Sequence, residues 1–169
     1  EELLEKQPVR PDNNEWHLIG HLQTNKVKFI AGFISMIESV DSEKLLKEID
    51  KEALKNERKI NVLLQVKIAK EETKFGLTVD EAKDIFNKYL DENYPNIEIK
   101  GLMGMASFVE NESQIREEFG ILKQLFDELS HLKPLETLSM GMSGDFPLAI
   151  ECGSNSVRVG SAIFGERNY

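Results

Sequence analysis

Short apolar runs alternate along this chain with longer stretches of helical period. Residues 16–19, 36–40, 60–66, 97–103, 137–140 and 157–159 are short and rich in β-branched side chains, and they read as strands. Between them, Leu45, Leu46, Ile49 and Leu54 recur at helical spacing behind a cap at Asp41 or Ser42. A second stripe, Val79, Ala82, Ile85, Phe86, Tyr89 and Leu90, opens with Thr78-x-x-Glu81. In such a capping box each side chain satisfies a backbone N–H that the first helical turn leaves free. Ile115, Phe119, Leu122, Leu125, Phe126 and Leu129 form a third stripe.

Strand and helix alternating this often predict a parallel sheet with helical crossovers. An open doubly wound sheet and a closed barrel both fit. Two features favour the barrel. The strands are short and carry polar or small residues on one face, as in Leu63, Gln65 and Lys67, and the last two run into glycine loops, Gly141-Met142-Ser143-Gly144 and Gly160-Ser161. Barrels commonly bind phosphate after strands seven and eight. Six strands are visible where a closed barrel has eight. The expectation is an α/β protein of the TIM-type (β/α)8 kind without about its first two βα units, with residues 1–169 as a single partial barrel domain.

Composition narrows the function. The 169 residues allow a substantial core, and the net charge of −9, with no basic stripe interleaved with aromatics, argues against nucleic acid. Acidic residues such as Asp80, Glu81, Asp84, Glu117 and Glu118 read as solvated helix faces. No apolar run approaches the ~20 residues of a membrane span. One cysteine, Cys152, excludes an internal disulfide framework and fits a reducing, cytoplasmic setting. The first residues, Glu1-Glu2-Leu3-Leu4-Glu5-Lys6, read as an amphipathic fragment rather than a signal peptide, and without an initiator Met the natural chain is expected to begin earlier.

The chemistry concentrates near the C-terminus. In Ser139-Met140-Gly141-Met142-Ser143-Gly144-Asp145, glycines let a ligand approach the backbone, and Ser143 offers a hydroxyl near a helix N-terminus, which favours anions. Val157-Arg158-Val159-Gly160-Ser161 presents the same donor chemistry one strand later. Either motif alone is more often a tight turn and a helix cap. Adjacent at the end of a barrel, they predict a phosphate cup.

These segments also carry a family resemblance. Glu15-Trp16-His17-Leu18-Ile19-Gly20-x-Leu22-Gln23-x-Asn25-Lys26 resembles a signature of the pyridoxal phosphate homeostasis proteins, the proline synthetase co-transcribed family. Gly101-Leu102-Met103, the stretch 138–143 and the stretch 157–165 agree with it in order. The resemblance implies a barrel like the N-terminal domain of alanine racemase, binding pyridoxal 5′-phosphate (PLP) in vitamin B6 homeostasis without catalytic turnover. It implies phosphate contacts from Ser143 and the Gly160-Ser161 loop, Met142 among the cofactor-binding residues, and Arg158 facing the pyridine nitrogen. The family's Schiff-base lysine is expected upstream of residue 1, with Lys67 flanking the pocket and Lys74 acting on the cofactor electrostatically. His17 is expected to point toward the pocket, and Met103 either to line its wall or to fill core. Expected partners are PLP and the apo-enzymes that receive it, and the complete protein is expected to be a monomer.

Other readings are weaker. His17 and His21 lie four apart, but Gly20 intervenes and no third ligand is near, so zinc is not expected. Asp145 and Glu151 read as a helix cap and a solvated acid, and Cys152 as a buried small hydrophobe. A PLP-dependent amino-acid racemase is the alternative function; it needs a second acid/base from an additional domain. A sugar-phosphate isomerase or lyase would need paired acid/base residues at strand ends, and none stand out.

Overall fold

The computed structural model describes residues 15–70 and 75–165. They form one six-stranded parallel sheet in chain order. Strand β1 (His17–Leu18) is followed by a 3-10 turn at Thr24–Lys26 and helix α1 (Val27–Ile30). Then come β2 (Met36–Val40), α2 (Glu43–Lys55), β3 (Ile60–Val66), α3 (Val79–Leu90), β4 (Ile97–Gly104), α4 (Glu112–Leu132), β5 (Thr137–Met142), α5 (Phe146–Glu151), β6 (Ser156–Arg158) and α6 (Ser161–Phe164).

Local chemistry sets these elements. Ser42 caps α2 by accepting the Leu45 N–H, and Thr78 and Glu81 complete the capping box of α3. Leu45, Leu46, Ile49 and Ala53 bury one face of α2. Leu54 is the exception, 63% exposed. Nine residues beyond Leu45, it falls half a turn away, because each helical residue advances about 100°.

Alternation along the strands separates two layers. Ile37, Val62, Leu64, Val66, Leu102, Leu138 and Met140 belong to the apolar core under the helices. Between them Glu38, Leu63, Gln65, Met103 and Ser139 are also buried, on the other face. That inner face is where the sheet's curvature shows. Strands β2 and β5 are three spacings apart, about 14 Å on a flat sheet. Yet the Ser139 hydroxyl donates to Glu38 Oε2 at 2.7 Å. Only a sheet rolled into an arc brings these residues together, so the six strands are a curled parallel half-barrel. Gly101 lets β4 and β5 meet, since an added Cβ would collide with the Thr137 carbonyl.

Candidate functional site

A cleft of about 550 Å³ opens at the C-terminal ends of the strands. The loop after β5 contributes Met142, Ser143, Gly144 and Asp145, and the end of β6 with its loop contributes Arg158, Gly160 and Ser161. The two glycine-bearing loops singled out in the sequence therefore line one wall. Phe108 and Phe164, both almost fully exposed, form an apolar rim.

Ser143 organises the two loops. Its Oγ accepts the backbone N–H of Gly160 at 3.2 Å and of Ala162 at 3.3 Å. Two amides from the second loop thus converge on one point contributed by the first. The Asp145 carboxylate also lines the cleft, but its Oδ1 accepts the Met142 N–H at 2.6 Å and closes the turn. Gly141 belongs to the turn itself: its φ is +101°, and an added Cβ would press on Ala149 and Phe146. Gly144 and Gly160 differ, since open space surrounds the position a Cβ would take. Helices α5 and α6 have only six and four residues, so individual N–H groups, rather than a long helix dipole, give this wall its anion chemistry.

Behind the loops lies a polar chain that the sequence did not reveal. Arg158 donates from Nη1 to Ser139 Oγ at 2.6 Å and from Nη2 to the Gly104 carbonyl at 3.0 Å. Ser139 donates to Glu38, whose other carboxylate oxygen meets His17 Nδ1 at 3.0 Å. Burial works to raise the Glu38 carboxyl. The hydrogen bonds from His17 and Ser139 and the charge of Arg158 outweigh it and hold the group below the usual carboxylate range. His17 is raised, chiefly by its bond to Glu38. Burial lowers Arg158 against the opposing charges of Glu38 and Asp145.

The remaining candidates fall elsewhere. His17 is directed to Glu38 on the neighbouring strand and is not among the cleft-lining residues. His21 pairs separately with Asp41 at 3.0 Å. Met103 is fully buried on β4, so core filling describes its position. Glu151 is an exposed partner of Arg116. Lys74 lies outside the described residues. Glu118 corrects an expectation: Glu117 is exposed, but Glu118 is fully buried. It accepts the Ser107 N–H and hydroxyl at 2.6 and 2.7 Å, the Lys70 N–H at 3.1 Å and the Gln114 amide at 3.0 Å. One carboxylate thereby ties the loops after β3 and β4 to α4. The sequence held a signal for it, since position 118 lies three residues after Ile115 and four before Leu122, inside the apolar stripe.

The donor set fits a phosphate-bearing planar ligand. Open space at Gly144 and Gly160 and the Ser143 and Ser161 hydroxyls suit a phosphate, and a guanidinium one strand away suits a ring acceptor.

Comparison with known proteins points the same way. The family model described as alanine racemase, N-terminal domain, matches residues 1–168. A pyridoxal phosphate homeostasis protein of Aquifex aeolicus is 42% identical over 172 residues, covering 100% of this chain and 75% of that protein. The solved structure of PipY from Synechococcus elongatus with PLP bound is 30% identical, with a TM-score of 0.82, covering 96% of this chain and 75% of that one. A protein of unknown function from Bifidobacterium adolescentis is 38% identical, with a TM-score of 0.83, and the chain spans 89% of itself and 60% of that structure. No helix among the described residues is long and apolar enough to cross a membrane.

Proposed function

This chain belongs to the alanine racemase N-terminal-domain family and, within it, to the pyridoxal phosphate homeostasis proteins; from that premise we propose that it binds PLP and handles it without catalytic turnover. The observation that carries the reading is the convergence of the Gly160 and Ala162 amides on Ser143, beside Arg158, in one cleft. When bound, PLP supplies an aldehyde conjugated to an electron-withdrawing ring. Ser143 and Ser161 would hold the phosphate through their hydroxyls, the Gly160 N–H would move from Ser143 Oγ to a phosphate oxygen, and Met142 would present the turn that carries Ser143. Arg158 would donate to the ring nitrogen. A permanently charged guanidinium there disfavours ring protonation and weakens the ring as an electron sink, which suits storage and delivery better than turnover.

The proposal extends to the whole protein. The lysine that bears the cofactor lies upstream of residue 1, on a strand of the βα units preceding those seen here. Residues 1–169 are a single partial barrel domain of a complete protein that is monomeric and cytoplasmic, and apo-enzymes are the recipients of its PLP. His17 and Met103 support the wall of the cleft from within the sheet.

Equilibrium dialysis of the full-length protein against PLP is expected to give one bound equivalent. Gly160→Asp, which sets a carboxylate where the phosphate would sit, is expected to lower affinity by at least about a hundredfold. No retained PLP in the wild type would sink the reading. Racemisation of alanine or serine faster than free PLP achieves would overturn its non-catalytic part.

A further inference from the structure

We infer that Glu38 is a positioning residue for the cofactor's ring, acting through Ser139 to hold the Arg158 guanidinium in place at the cleft. The inference rests on the PLP reading for the identity of the ligand, but the device is drawn by this chain's own side chains.

A guanidinium carries five N–H donors in one plane, so fixing two of them fixes the plane. Here Ser139 on β5 takes one Nη1 bond and the Gly104 carbonyl on β4 takes an Nη2 bond. The other donors remain for the cleft that Arg158 lines. The orientation depends in turn on Ser139. A hydroxyl has a single proton, and with Arg158 donating to its oxygen, that proton must go to another acceptor. It goes to Glu38 Oε2 at 2.7 Å. The polarity of the chain therefore runs Arg158 to Ser139 to Glu38, and it requires an acceptor oxygen at position 38, which the carboxylate supplies together with a negative charge.

Glu38 is suited to that role. It is only 4% exposed, and its second oxygen is engaged by His17. Its negative charge compensates a cation that is itself half-buried at the cleft. A buried charge that loses its partner is costly, so the pair holds its geometry. Asp145 is the other carboxylate close to Arg158, but its Oδ1 is occupied by the Met142 N–H of its own turn. Glu38 is thus the acid whose hydrogen bonds, rather than proximity alone, reach the guanidinium. With this link intact, Arg158 presents a fixed donor to a ring acceptor. Without it, the guanidinium is free to swing, and the interaction specific to the ring nitrogen weakens.

The test compares two ligands in the full-length protein: PLP, and the analogue in which CH replaces the ring nitrogen. Glu38→Gln is close to isosteric and is expected to lower PLP affinity about tenfold while changing affinity for the carbon analogue by less than about twofold. Ser139→Ala, which removes the link rather than the charge, is expected to give the same selective loss. A general structural role would weaken both ligands equally, and that result, or no loss for either, would overturn the inference. Wild-type protein that binds neither ligand would instead defeat the PLP reading. Anchoring of Arg158 is then judged from its guanidinium N–H exchange by NMR in the ligand-free protein. Exchange at least about tenfold faster in Ser139→Ala supports the link, and unchanged exchange overturns it.

Discussion

Glu118 shows how much one side chain can hold. Its carboxylate gathers donors from two loops and from Gln114 on its own helix, and it sits wholly out of solvent. Burial tends to raise its carboxyl, but the bonds from Ser107, Gln114 and the Lys70 amide prevail and lower it. A lowered folded value means that Glu118 contributes stability above the ordinary glutamate value of about 4.3 and loses it as pH falls through the folded value. Glu118→Gln keeps the shape but loses the charge and one acceptor, and it is expected to cost about 2 kcal/mol at pH 7 in urea denaturation. The variant should also lose less stability than the wild type between pH 5 and pH 3. An unchanged acid slope would assign the wild-type loss to other carboxylates. Of these single-residue features, Ser143 and Arg158 were legible because they sit in short motifs with distinctive chemistry. Glu38 was not, because its meaning depends on Ser139 and Arg158, residues brought to it only by the rolled sheet.

At the level of elements, the sequence carried more. Strands β2 and β3 lie where their apolar runs predicted, Thr78 caps α3 as its capping box indicated, and of the two candidates Asp41 and Ser42 it is Ser42 that caps α2. Period and capping are local properties, so they survive reading without tertiary contacts. The 3-10 turn at Thr24–Lys26 and helix α1 were missed, since four helical residues make barely one turn and show no period. Strand β6 begins one residue earlier than its apolar run, because Ser156 pairs in register with Ser139 despite being polar. Pairing in this sheet also makes a sharp demand at Gly101, where the β5 backbone fills the space of a side chain. Gly101→Ala is expected to cost more than about 3 kcal/mol, or to prevent recovery of folded protein. Gly120→Ala, in open space on α4, should be neutral or stabilising by up to about 1 kcal/mol. Similar thermal midpoints for the two variants would contradict the close approach of β4 and β5.

For the molecule as a whole, the order of strands matters more than any one of them. Each strand pairs with its chain neighbours, so the backbone ladder is built from connections of one crossover each. The bond between Ser139 and Glu38 is different in kind, for it joins positions 101 residues apart and spans two intervening strands. That gives it a place in time. Its ends meet only after β3 and β4 have docked and the sheet has rolled, so it is expected to close after the main barrier to folding. Interactions absent from the transition state govern how fast a protein comes apart and leave how fast it assembles almost untouched. Ser139→Ala should therefore speed unfolding by about tenfold in stopped-flow denaturation and leave refolding within about twofold of the wild type. Slower refolding would mean that the rolling of the sheet is itself the nucleus. On the expected result, the residue pair that aims the arginine also acts as the latch that sets the lifetime of the rolled state.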